Sequence, residues 1–196
     1  MVEFFQTHIL PELKKKLNLD VEWVQSPLKR SLHDAEKGQI DVMFLLVKNP
    51  DRMKTFDFAD EPYVTEQPGL IVRKDFNAGL DALPMSLFEN KTIGQMAGST
   101  VPDYFISHKI KSLFLSGNDL AERLSILVEN RRIDGVFIHL YSVTDYIVKK
   151  NNFKNLRAVK ITGVPPYPAY VVFNKSLDPA VKKEINQLLK KHRSVN

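Results

Sequence analysis

GQIDVMF at residues 38–44 and RRIDGVF at residues 131–137 are two versions of one phrase. In each, a glycine or a basic residue leads into Ile-Asp, and an apolar run follows. A helical pattern precedes both copies. Leu28, Leu32 and Ala35 are spaced to share one face before the first, and Leu120, Leu124, Leu127 and Val128 do so before the second. Gly38 suits the left-handed position that closes a helix. The runs Ile40–Val47 and Ile133–Ile138 are short and apolar, as buried strands are. Helix, tight turn and buried strand therefore occur twice, which predicts two similar halves. Asp41 and Asp134 are assigned to capping or orienting backbone at the two turns.

The same alternation extends outward. Residues 1–17 read as a helix with Phe4, Phe5, His8, Ile9, Leu13 and Leu17 near one face, kinked or restarted at Pro11 and stopped by Asn18. VEWV at 21–24 reads as a short strand. Ser26-Pro27 reads as N-cap and first residue of the next helix, which ends at Gly38. A turn at Asn49-Pro50 leads to strand material at Phe56–Phe58 and Gly69–Arg73. The second half is predicted to hold a helix near Asp81–Glu89 and the strand TIGQ at 92–95. AGST breaks that strand and a helix follows. KSLFL at 111–115 is a strand, Asp119 starts a helix, and another helix runs from about Leu140 to Lys150. Strands near Leu156–Ile161 and Tyr170–Asn174 precede a last helix from about Pro179 to His192, with Val181, Ile185, Leu188 and Leu189 inward. Alternating strands and helices imply an α/β fold with parallel sheets.

Composition narrows the function. A chain of 196 residues with 43% hydrophobic and 26% charged residues folds as one ordinary domain or two small ones. No apolar run approaches the length of a membrane-spanning helix. Cysteine is absent, which removes disulfides, thiolate nucleophiles and Cys-type zinc sites. The formal charge of +5 comes from lysines scattered over helix ends and polar faces, and no nucleic-acid-binding motif accompanies them. His8, His33, His108, His139 and His192 lack metal-ligand spacing, and no nucleophile elbow, P-loop or dinucleotide fingerprint is present. No catalytic residue, metal site or cofactor is predicted. Asn90-Lys91-Thr92 and Asn174-Lys175-Ser176 fit the glycosylation sequon, a frequent chance match.

The stretch from Ser26 to Lys74 resembles the first lobe of the bacterial extracellular solute-binding proteins, family 3. Its markers are Gly38-Gln39-Ile40-Asp41, the turn Asn49-Pro50-Asp51-Arg52, and Phe56 to Tyr63. NKTIGQMAGST at 90–100 and RRIDGVFI at 131–138 resemble second-lobe motifs of that family. The fold implied is the two-lobe periplasmic-binding-protein type II clamshell. Lobe 1 is expected over 1–73 plus 165–196 and lobe 2 over 74–164, with hinge crossings near Val72–Asp75 and Thr162–Pro166. Members open with a strand before the first helix and continue beyond the last one. This chain is read as starting inside the helix and stopping at Asn196, and it shows no signal peptide. The resemblance implies a monomeric periplasmic protein that holds a small solute between its lobes. Its further partner would be an ABC-transporter permease or an attached receptor domain, and nucleic acid is not expected.

The resemblance also implies site residues. Arg52 matches the arginine that grips a ligand carboxylate through a bidentate fork. Gly98, Ser99 and Thr100 match the second-lobe turn whose hydroxyls and N–H groups grip an anion; a plain helix N-cap is the structural alternative. Phe44, Leu45, Leu46 and Val47 stand where relatives place small hydroxyl residues, and the loop is one residue shorter. His139 stands where relatives place the acidic partner of the ligand ammonium, and imidazole cannot fill that role. The solute implied is more anionic or more apolar than a standard α-amino acid. Phe44, Leu46, Tyr63 and His139 are further lining candidates. The alternatives are a dehydratase on the same fold, the effector half of a LysR-type regulator, and a degenerate clamshell used for protein contacts.

Overall fold

The computed structural model describes residues 5–117 and 119–193. Phe4, expected on the first helix face, lies outside the described residues. The chain divides into two compact units. One contains the stretch up to Ser26, Ser31–Val64 and the stretch from Pro168; the other contains Pro27–Arg30 and Thr65–Tyr167. The division thus falls at Val64/Thr65 and Tyr167/Pro168, outside the expected crossings at 72–75 and 162–166. The strand at Gly69–Arg73 explains the difference: it lies inside the second unit's sheet, with Val72 fully buried.

The first unit begins with a π-helical turn, Phe5–Ile9, followed by helix α1, Leu10–Leu17. Pro11 falls in the first turn of α1, where its missing N–H leaves no gap in the ladder. Asn18 ends α1 in the left-handed region at φ 51°, donating its N–H to the Lys14 carbonyl. The expected strand at 21–24 is not formed. VEWV has strand composition, but no strand among the described residues pairs with it, and Val24 is 61% exposed. Helix α2, Leu28–Glu36, begins one residue after Pro27, and Ser26 Oγ lies 2.6 Å from Ser31 Oγ.

Strand β1, Val42–Val47, pairs antiparallel with β10, Tyr167–Asn174, which in turn pairs antiparallel with β2, Phe56–Phe58. β3, Val64–Glu66, also joins β10. The parallel pairing expected for this half is therefore corrected to antiparallel. Between Met43↔Val172 and Leu46↔Tyr170 the register shifts by one residue. This bulge places Leu45 at φ 62°, a left-handed conformation that bulky residues seldom adopt. At 49–55 the expected turn is instead a short helix, α3, Pro50–Thr55. The core joins Phe5, Ile9 and Leu13 to Val171 and Phe173 of β10 and to Ile185, Leu188 and Leu189 of the last helix.

In the second unit, β4 (Gly69–Arg73) is followed by β5 (Ala82–Pro84), and a 3₁₀ turn, Met85–Phe88, then leads to β6 (Thr92–Met96). The helix expected over 81–89 is thus a strand and a single tight turn, consistent with proline at 84. Helix α4 (Asp103–Ser107) precedes β7 (Lys111–Leu115), and α5 (Leu120–Glu129) precedes β8 (Gly135–Ile138). Helix α6 (Tyr141–Lys150) leads to β9 (Leu156–Thr162). The sheet order is β5-β9-β4-β8-β6-β7. It is mixed: β4 runs antiparallel to β8 and β9, whereas β5–β9, β6–β8 and β6–β7 are parallel. Alternate residues feed opposite faces. Leu70, Val72 and Phe137 join one core with Phe88 and Phe105, while Ile71, Val136 and Ile138 join another with Leu124 and Val128. Burial on both faces is why these strands read as continuous apolar runs; each large side chain so buried contributes roughly 1.5–3 kcal/mol. The last described element of the first unit is α7, Pro179–Arg193.

The repeated phrase has a common geometry. After α2, Gly38 at φ 77° donates to the Ala35 carbonyl and Gln39 to the Asp34 carbonyl. After α5, Arg131 at φ 56° donates to Val128 and Arg132 to Leu127. Both are Schellman turns with the left-handed residue three positions before the Asp. The two aspartates then differ. Asp134 Oδ2 accepts the Thr92 N–H at 2.9 Å, orienting backbone as expected. At position 41 it is the backbone carbonyl that is used, accepting from Asn174 N–H at 2.9 Å.

Candidate functional site

Four of the expected site residues lie in the first unit. Arg52 sits in α3, whose N-cap is Asn49: the Asn49 side chain accepts the Arg52 N–H at 2.8 Å, and Pro50 opens the helix. The guanidinium turns back to the end of β1, where Nη1 donates to the Val47 carbonyl at 2.7 Å. The residue is 9% exposed, and burial pushes the guanidinium down to about 10. That value leaves it a cation at neutral pH, so the fold holds a desolvated positive charge beside the last residue of a strand. Such a charge gains far more from an anion than an exposed one does. Arg52 is therefore not a solvent-facing surface arginine.

Phe44 is drawn into a ring cluster, edge-on to Phe5 at 4.7 Å and stacked with Trp23 at 6.0 Å. Leu46 is 2% exposed. Tyr63 donates its N–H to the Ala169 carbonyl at 2.7 Å and packs against the first unit's core. Packing accounts for what is seen of Phe44 and Tyr63. A feature without a sequence signal lies beside them: Lys48 Nζ stands 3.9 Å from the Tyr170 ring centroid and 5.4 Å from that of Phe58.

The other four lie in the second unit. β6 ends at Met96, and Gly98 at φ 92° turns the chain. Ser99 bonds back on the strand end, its N–H to the Met96 carbonyl at 3.0 Å and its Oγ to the same oxygen at 2.6 Å. Thr100 is half-buried. Helix α4 starts at Asp103 with Pro102 as its N-cap, so Ser99 and Thr100 are not caps of that helix. The capping alternative is thereby corrected. His139 follows β8, the strand parallel to β6, and is half-buried. Its ring is edge-on to Tyr167 at 4.8 Å and to Phe137 at 4.9 Å. The Gly98–Thr100 turn and His139 thus follow the carboxyl ends of neighbouring parallel strands, where α/β sheets present their ligand contacts. Burial raises the Tyr104 hydroxyl well above its ordinary value, and Tyr167 moves the same way, so both rings are neutral donors at physiological pH.

Among the described residues no group of His, Asp or Glu side chains is arranged to hold a metal ion, and no helix is long and apolar enough to cross a membrane. The family model of the bacterial extracellular solute-binding proteins, family 3, matches residues 5–194. The chain belongs to that family. A comparison with curated proteins gives no significant match. Solved structures supply the fold in detail. An amino acid ABC transporter substrate-binding protein from Streptococcus pneumoniae, bound to L-arginine, matches with a TM-score of 0.76 at 19% identity, over 94% of this chain and 76% of that one. The holo arginine-binding protein of T. maritima matches with a TM-score of 0.75 at 20% identity, over 96% and 80%. A structure from work on glutathione import in Streptococcus mutans matches with a TM-score of 0.74 at 18% identity, over 97% and 80%. At these identities the likeness establishes the fold, the two-lobe type II binding-protein architecture. This solute-binding family member shares that fold.

Proposed function

We propose that this family member binds a small carboxylate-bearing solute for ABC-transporter uptake or for an attached sensing module, outside the cytoplasm. Buried, cationic Arg52 carries the reading. A desolvated guanidinium at a strand end is a preformed partner for a carboxylate, and a bidentate fork would recognise one. The Gly98-Ser99-Thr100 turn, held against the Met96 carbonyl by Ser99, is the second anion-binding element of the reading, as the resemblance implies. His139 supplies an imidazole where an α-amino acid site of the resembled type has a carboxylate. The solute favoured is therefore a di- or tricarboxylate or an apolar carboxylate, in contrast to the L-arginine held by the Streptococcus pneumoniae protein. Phe44, Leu46 and Tyr63 would shape the apolar side. No step of chemistry is assigned, and the protein acts as a binder.

A thermal-shift panel of amino acids, polyamines, carboxylates, sugars and nucleosides tests this. A ligand at one hundred times its dissociation constant adds about 2.7 kcal/mol of stability, which moves the midpoint by several degrees. The expected result is a shift with a carboxylate that is lost in Arg52→Met and reduced in Ser99→Ala. A shift with cationic amino acids that survives in Arg52→Met would overturn the reading.

A further inference from the structure

We propose that the second unit carries a separate binding site for a small oxyanion of phosphate or sulfate chemistry, formed by Arg73, Lys91 and Arg131. An open surface pocket of about 160 Å³ is lined by these three with Phe76, Ile133 and Asp134. The cations come from unrelated segments: the end of β4, the residue before β6, and the turn before β8. Two carboxylates face them, and both are already engaged. Arg73 forks onto Asp75, with Nε to Oδ1 at 2.7 Å and Nη2 to Oδ2 at 3.1 Å, and Arg131 Nη2 stands 3.5 Å from that same Oδ2. Asp134 gives one oxygen to the Thr92 N–H at 2.9 Å and the other faces Lys91 Nζ at 3.5 Å. Three cations against two carboxylates leave one positive charge unbalanced, and Asp75 holds two guanidiniums side by side. Paired guanidiniums with donors to spare suit the oxygens of a tetrahedral anion.

Two observations separate this from ordinary surface charge. The negative end of α5 favours a cation at 131, but it accounts for neither Lys91 nor the Arg73 fork. Arg131 also occupies a left-handed position that its counterpart in the other repeat fills with Gly38, so the side chain is kept at the expense of an easier backbone. The place is distinct from the solute residues. Lys91 precedes β6 and Arg131 precedes β8, whereas Ser99 and His139 follow those strands. Across β6 alone that separation is roughly 13 Å.

The test is an amide NMR titration of the whole chain with inorganic phosphate against sodium chloride at matched ionic strength. Saturable shifts at residues 91 and 131–134, absent with chloride, are expected. Arg131→Gly, which suits the backbone and keeps the fold, should weaken the affinity about tenfold, as should Lys91→Gln. Non-saturating shifts, equal shifts with chloride, an unchanged affinity in Arg131→Gly, or saturable shifts confined to 98–100 would each overturn the proposal.

Discussion

Gly38 and Arg131 occupy one place in two Schellman turns, and substitution there should act with opposite signs. Arg131→Gly relieves a left-handed strain of roughly 1–2 kcal/mol and adds back about 0.5–1 kcal/mol of glycine entropy. It also removes a 3.5 Å ion pair with Asp75 in which Arg131 is 71% exposed, a contact of small value. The net expectation is a gain of up to about 1 kcal/mol. Gly38→Ala should cost about 1 kcal/mol or more, because φ is 77° and a Cβ would meet Asn174 Nδ2 at 3.2 Å. Urea midpoints at unchanged m-value measure both. The phrase that carries these residues was legible because a helix stop, an Ile-Asp and an apolar run are local signals. The fates of its two aspartates were not: Thr92 stands across from one and Asn174 from the other, and both neighbours are distant in sequence. Arg52 was singled out only through the family motif, and its burial left no local mark in the sequence. Its helix could have been read locally, since Asn-Pro-Asp is a start signal.

At the scale of elements, β4 lies against α6 so closely that Gly69 has no substitute. A Cβ there would stand 2.4 Å from Thr144 Oγ1 and 3.1 Å from the Tyr141 Cα. Gly69→Ala should destabilise by roughly 1–3 kcal/mol. Thr144→Ala removes the nearer clash at the loss of a 3.1 Å bond from its hydroxyl to the Leu140 carbonyl. The double substitution should therefore be milder than the sum of the singles by about 1 kcal/mol, which a denaturation double-mutant cycle would read; strict additivity would refute the contact. Elements such as β4 and β8 were readable because burial on both faces leaves an unbroken apolar run. VEWV failed for the converse reason: its composition favours a strand, but a strand exists only where a partner edge is offered. The segment at 81–89 failed because short pieces carry too few residues for a period to show. The bulge at Leu45 left no mark in the sequence at all, since it depends on the register with β10.

For the whole molecule, the alternation of helix and strand and the twofold phrase pointed to two α/β units, and the chain divides so. In sequence β4 reads as part of the first half, because it looks equally suited to either sheet until its partners β8 and β9 are known. The first unit is assembled from separated stretches, so its stability depends on the early helix meeting the last one. Besides the core of Phe5, Ile9, Leu13, Ile185, Leu188 and Leu189, the two helices share an ionic contact. Glu12 accepts from Lys191 Nζ at 2.8 Å and lies 2.7 Å from His192 Nε2. These partners, Lys191 first, hold the Glu12 carboxyl below its ordinary 4.5. A depressed carboxyl contributes stability that is fully present above 4.5 and is lost as pH falls through its lower folded value. Asp75, held below 3.8 chiefly by Arg73, adds a loss of the same sign in the second unit. The melting temperature should therefore drop as pH falls below about 4.5. Glu12→Gln should be less stable than the parent at pH 7 and should converge with it in acid, since protonation removes from the parent what the substitution has already removed. Melting curves that stay parallel down to pH 3 would show that this contact does not help to join the ends of the chain.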